Sequence, residues 1–216
     1  MRTYIILTWI LYSTAAGIVA AQTPYKIPFG SSKNTIELTV ANESAQSVSS
    51  LTVSGSSIPA WMKITPDRQQ VSILQSKNEQ LARFSFSVSK FAPVKKPEKI
   101  TLAVTTPKGD KWTKDITIII EAPDRFALFQ NFPNPFNPTT RIAYQLKEDG
   151  LVRIEIFNVL GQEIAEPIHE LQSAGYHEKE WNAGNLSSAV YFYRLSVTDM
   201  SGKNLFHEIK KMMLVR

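Results

Sequence analysis

Pro133, Pro135 and Pro138 lie within six residues of one another, in Phe132-Pro133-Asn134-Pro135-Phe136-Asn137-Pro138. Each proline ring holds φ near about −65° and biases the residue before it to extended geometry, so this stretch can be neither helix nor interior strand. It predicts a rigid, irregular crossing. Asn134 and Asn137 suit turns capped by their own side chains, and Phe132 and Phe136 are the apolar anchors expected to pin the crossing to a core. Immediately afterwards Ile142, Tyr144 and Leu146 alternate with Arg141, Ala143 and Gln145, the period of a half-buried strand.

The same two-residue period recurs along the chain. Ile36, Leu38 and Val40 alternate with Glu37 and Thr39, and Phe84, Phe86 and Val88 with Ser85 and Ser87. Further strands are expected within Ser44–Ser57, Gln70–Leu74, Ile100–Thr105 and Lys114–Ile120, with a hairpin turn at Pro107-Lys108-Gly109-Asp110. In the second half Val152, Ile154 and Ile156 oppose Arg153 and Glu155, and Tyr191, Tyr193, Leu195 and Val197 share a face. Turns are expected at Glu148-Asp149-Gly150, Asn158-Val159-Leu160-Gly161 and Asp199 to Lys203, and a last strand over Glu208–Val215. Short strands with frequent turns and no helical period predict an all-β protein of two immunoglobulin-like β-sandwich domains in tandem. Glu121-Ala122-Pro123-Asp124-Arg125 has the composition of a boundary, so the expected domains are 22–122 and 126–216, joined by linker 123–125.

At the N-terminus Arg2 precedes an apolar run from Tyr4 to Val19 and the small residues Ala20 and Ala21. That layout predicts a secretory signal peptide over residues 1–21, with Val19 and Ala21 before the cut and Gln22 first in the mature chain. The alternative is a retained anchor, although Thr8, Ser13, Thr14 and Gly17 lower its apolarity. No later stretch approaches a transmembrane span, so none is expected in the mature chain. The absence of cysteine excludes disulfides and thiolate chemistry, so an exported form must rest on its cores alone.

Charge and side-chain chemistry leave few candidates. Residues 22–122 carry 13 Lys and Arg against 8 Asp and Glu, whereas residues 123–216 carry 10 against 11. The basic half could meet an anionic surface, or simply be a soluble one; its Lys-rich loop around Lys90, Lys95, Lys96 and Lys99 lacks the aromatic interleaving of a nucleic-acid site, so no nucleic acid is expected. Trp61 and Trp112 are the candidate ligand-binding residues, as platforms for a sugar ring; for Trp61, between Pro59 and Pro66, the opposing reading is closure of a sandwich core. Glu178 and Glu180 share a strand face beside Trp181 but have no evident cleft to work across. His169, His177 and His207 are scattered, so no metal, no cofactor and no catalytic constellation is expected.

Four ordered signatures carry a resemblance. Leu128, Gln130, Asn131 and Pro133 through Ile142 form the first, and Val152 through Ile164 the second. Ala174-Gly175-Tyr176-His177, Trp181 and Leu186 through Leu195 form the third, and Lys210 through Arg216 the last. Together they resemble the type A C-terminal sorting domain of proteins exported by the type IX (Por) secretion system of Bacteroidetes, with Phe132 replacing a tyrosine and Ala189 a glycine. The matched motif residues are Gln130, Asn131, Pro133, Asn134, Pro135, Phe136, Asn137, Pro138, Gly161, Tyr191, Lys210 and Lys211. The resemblance implies export through the periplasm to the outer-membrane surface or beyond, and recognition by the type IX translocon through the last two strands, Leu205 to Arg216. It also implies cleavage near Ala122 to Phe126 by a surface sortase, with the passenger attached to anionic lipopolysaccharide. The first half is similar to immunoglobulin-like modules appended to bacterial glycosidases and surface proteins, which suits a structural or adhesive passenger or, alternatively, a glycan-binding one.

Overall fold

The computed structural model describes residues 3–11 and 23–216. The protein is all-β: the described residues form sixteen strands and no helix, hence no helix able to cross a membrane. The chain divides into two compact units, Met1–Glu121 and Ala122–Arg216.

The first unit contains β1 (Tyr4–Leu11), β2 (Tyr25–Ile27), β3 (Asn34–Asn42), β4 (Val48–Ser57), β5 (Met62–Thr65), β6 (Arg68–Leu74), β7 (Glu79–Val88), β8 (Pro97–Thr105) and β9 (Lys111–Ile120). They pair as β1-β3-β7-β5 and β2-β9-β8-β4-β6. Alternation decides which side chains lie between the sheets: Ile36, Leu38 and Val40 of β3, Phe84, Phe86 and Val88 of β7, and Ile116, Ile118 and Ile120 of β9 share one core cluster. Trp61 and Trp112 are half-buried against that core. Three strands go beyond the sequence reading. β2 and β5 are too short to show a period, and β1 falls inside the expected signal peptide. Residues 12–22, which include the expected cleavage site after Ala21, lie outside the described residues.

The second unit contains β10 (Ala127–Leu128), β11 (Thr139–Leu146), β12 (Gly150–Phe157), β13 (Glu163–Gln172), β14 (Gly175–Asn182), β15 (Ala189–Thr198) and β16 (Asn204–Leu214). Sheet β10-β11-β14 faces sheet β13-β12-β15-β16 across a second core, made of Ile142, Tyr144 and Leu146, Val152, Ile154 and Ile156, and Tyr193, Leu195 and Val197 among others. Gly150 begins β12 where a Cβ would stand 2.8 Å from Val197 Cγ1 and 2.9 Å from the Thr198 carbonyl oxygen, so only glycine fits the turn against β15. A single strand, β16, spans the region expected to hold the last two.

Candidate functional site

The proline crossing is where the signature residues converge, and it is tied to β16. The Phe136 amide donates to the Met213 carbonyl (2.9 Å) and the Val215 amide to the Phe136 carbonyl (3.0 Å), a parallel bridge that sets Phe136 opposite Leu214. Since Leu214 points inward, so does Phe136: its ring is buried, 5.7 Å from that of Trp181. Asn134, expected to cap a local turn, instead accepts the Met213 amide on Oδ1 at 2.9 Å. Gln130 Nε2 donates to the Lys211 carbonyl at 2.8 Å. The first and last signatures, some eighty positions apart in sequence, are thus one hydrogen-bonded structure.

Phe132 corrects the expectation of a second apolar anchor. It exchanges both backbone hydrogen bonds with Arg141, each 3.0 Å, and therefore sits opposite an outward-facing residue of β11. Its ring follows outward and is 80% exposed. Asn137 is exposed as well, while the Pro138 carbonyl accepts the Ala183 amide at 2.9 Å.

Beneath the crossing lies a buried polar knot. Asn131, 2% exposed, donates through Nδ2 to Thr140 Oγ1 (2.8 Å) and the Pro133 carbonyl (3.0 Å), and Thr140 Oγ1 donates to that same carbonyl (2.9 Å). The Asn131 amide donates to the Tyr193 hydroxyl, which donates in turn to the Phe129 carbonyl, both at 2.9 Å. Burial pushes the Tyr193 phenol up to about 12, which keeps the proton this relay needs. Tyr191, the matched motif tyrosine, serves locally: its hydroxyl donates to the Ser187 carbonyl at 2.8 Å. Sequence reasoning placed Tyr193 on the inward face but did not see that its hydroxyl holds the crossing.

The other motif positions are structural in the same sense. Gly161 has φ of 76° in the turn after β12, where its amide donates to the Asn158 carbonyl and Asn158 Oδ1 accepts the Leu160 and Gln162 amides. Ala189, which replaces the family's glycine, is an ordinary strand residue opposite Leu214 without a positive φ, so the replacement brings no backbone strain. Lys210 Nζ lies 2.8 Å from Glu208 Oε1, and Lys211 takes part through its backbone carbonyl. Although burial opposes ionisation of Glu208, Lys210 and the Leu128 amide outweigh it and hold the carboxyl below its ordinary value.

On the outward face of the larger sheet, Glu155 is buried beneath arginines. Arg194 grips both carboxylate oxygens at 2.8 Å while its guanidinium lies over the Phe157 ring, and Arg153 reaches Glu155 (3.1 Å) as well as Glu166 (3.1 Å). Arg153 holds the Glu166 carboxyl below its usual range. Beside this network, Phe157, Val159, Gly161, Phe192, Arg194 and Ile209 line a shallow depression of about 370 Å³. Val159, Leu160 and Ile209 are exposed there or beside it. No sequence signal marks this face, because the burial of Glu155 comes from neighbours on other strands.

Of the remaining candidates, Glu178, Glu180, His169 and His177 sit on β13 and β14 of the second unit. Glu178 accepts the Tyr176 hydroxyl at 2.8 Å and pairs with Arg141 at 3.4 Å, while Glu180 is exposed. His169 meets Glu166 at 2.7 Å, and His177 stacks on Tyr144 with Nε2 2.8 Å from the Ser173 carbonyl. Among the described residues no group of three or more potential metal ligands converges.

Residues 130–204 match the family model described as the secretion system C-terminal sorting domain. The second unit thus resembles the C-terminal sorting domains of the type IX (Por) secretion system. The match begins at Gln130 of the crossing and ends at Asn204, so the Gln130, Asn134 and Phe136 clamp joins the matched sorting domain to β16 just beyond it. A search of curated proteins found no match. Among solved structures, dimeric latent PorU from Porphyromonas gingivalis is similar at 14% identity over 91% of this chain and 19% of that one, with a TM-score of 0.37. The CupB2 chaperone of Pseudomonas aeruginosa is similar at 11% identity over 90% of this chain and 99% of that one, with a TM-score of 0.30. CBD12 from CALX1.2 is similar at 10% identity over 84% of this chain and 81% of that one, with a TM-score of 0.33.

Proposed function

We propose that this is an exported, non-enzymatic cargo of the type IX system: a signal peptide over residues 1–21, an immunoglobulin-like passenger over 22–122, and an immunoglobulin-like sorting domain over 126–216 after linker 123–125. The observation that carries the reading is the sorting-domain match together with the crossing that clamps β16. Clamped, β16 presents Ile209 and Met213 outward on a strand held by β15 on one side and by the proline crossing on the other, a surface the outer-membrane translocon can grip. The segment from Ala122 to Phe126, whose Asp124 and Arg125 are exposed, is where a surface sortase would cut, releasing the passenger for attachment to anionic lipopolysaccharide. The passenger acts as a structural or adhesive module at the cell surface or outside the cell. The packing of Trp61 and Trp112 against its core favours this over the glycan-binding alternative. The test compares localisation of the full chain with a version ending at Asp124, with mass spectrometry of the mature termini. Retention of the truncated version in the periplasm is expected; its arrival outside the cell would remove the sorting assignment.

A further inference from the structure

A strand-shaped site lies along β3, filled in this structure by β1. The two pair in parallel from Tyr4 opposite Thr35 to Leu11 opposite Asn42. Ile5, opposite Ile36, is fully buried in the first unit's core, while Tyr4 and Ile6 on the other face are exposed. The start of the strand is held by polar groups: the Thr35 amide donates to the Thr3 carbonyl at 2.9 Å, and the Thr3 amide donates to Asn34 Oδ1 at 3.1 Å. Asn34 is itself fully buried, with Nδ2 engaged by Ser31 Oγ and the Phe86 carbonyl, so its oxygen is fixed in aim toward the first amide of whatever lies beside β3.

Cleavage after Ala21 detaches β1 from everything that follows it. What is left is an edge with few of the devices that blunt edge strands: β3 has no proline, no lysine, a single charge, Glu37, neutralised by Arg83 of β7, and an unbroken register with β7 from Asn34 to Ala41. Its outer edge would offer the backbone groups of Thr35, Glu37, Thr39 and Ala41 by the two-residue period. Ile36 would lose the cover of Ile5, and the buried Asn34 oxygen would lose the Thr3 amide. The remaining strands of the first unit already have places in its two sheets, and those of a second copy have theirs, with inward side chains committed to their own cores.

We propose that in the exported chain the β3 edge is an acceptor site for an extended segment of a partner polypeptide, apolar at every second residue and added parallel to β3. The segment donates its leading amide to Asn34 and sends an aliphatic side chain into the place of Ile5. This rests on the proposed removal of the leader. Parallel addition along an existing edge gives affinity through main-chain hydrogen bonds and selectivity through the inward side chains.

The test uses the exported chain, with its N-terminus read by intact mass, and a synthetic probe, the Thr3–Leu11 sequence acetylated at its N-terminus, so that Thr3 presents an amide, with lysines added at its C-terminal end for solubility. Saturable binding by fluorescence anisotropy is expected, with slowed hydrogen exchange over Asn34–Asn42. An Ile5→Asp probe should bind more weakly by about tenfold or more, because it buries a charge, and a Thr3→Pro probe should also weaken, because it lacks the amide that Asn34 accepts. Absence of saturable binding, equal binding of the Ile5→Asp probe, or protection elsewhere would overturn the inference while leaving the leader reading intact. An intact mass that still includes residues 1–11 would overturn both, since β1 would then be a permanent strand. Concentration-dependent dimers with β3 protected in the absence of probe would assign the edge to a second copy and overturn the partner form.

Discussion

Phe132 and Phe136 stand four residues apart in one proline-rich crossing, and the structure assigns them opposite fates. Phe136 is 2% exposed and packs on Trp181 in the second core; Phe132 is 80% exposed. Replacing Phe136 with alanine keeps its backbone bonds to Met213 and Val215 but empties a ring-sized space between the two sheets. A buried Phe→Ala change costs about 3–5 kcal/mol, the lost transfer free energy plus the cavity. Against a domain stability of about 5–15 kcal/mol, that brings the second unit close to unfolding, and at about 4–8 °C per kcal/mol its melting temperature should fall by more than about 12 °C. Phe132→Ala removes surface that water already reaches and should stay within about 0.5 kcal/mol of the parent. Urea and thermal unfolding of the full chain, with hydrogen exchange read on segments from β11 to β16, reports the second unit separately from the first. Equal losses for the two variants, or a Phe136→Ala cost under about 1 kcal/mol, would refute the claim that the crossing is anchored through one phenylalanine.

Tyr193→Phe should destabilise the second unit by about 1–3 kcal/mol, because it leaves the Asn131 amide buried with no acceptor; equilibrium denaturation measures it. Tyr144 and Tyr193 are both raised to about 12 by burial, so the stability this confers is whole below the ordinary phenol value of 10 and is lost as pH rises through 12. An alkaline unfolding series should show the second unit weakening from about pH 10 upward, and less steeply in Tyr193→Phe. On the outward face, Arg194→Ala strips the bidentate partner from a buried carboxylate and should cost about 3 kcal/mol, whereas Arg153→Ala leaves that grip in place and should cost less. A double-mutant cycle with Glu155→Gln separates the pairing from the packing.

The sequence by itself determined which side chains face inward along each long strand, because a pleated strand turns successive residues to opposite faces regardless of what it packs against. Ile36, Leu38 and Val40, Ile142, Tyr144 and Leu146, and Tyr191 to Val197 were legible for that reason, as were the turns closed by Gly109 and Gly161. The signatures of the sorting domain were likewise readable, being local strings. Only the tertiary structure decided what those strings touch. Phe132 turns outward and Phe136 inward because one bridges Arg141 and the other Leu214, partners chosen when distant segments came together. Asn134 holds Met213, Tyr193 holds Asn131, and Glu155 is buried under Arg194 for the same cause: period specifies a face, whereas register and sheet packing specify the neighbour across it.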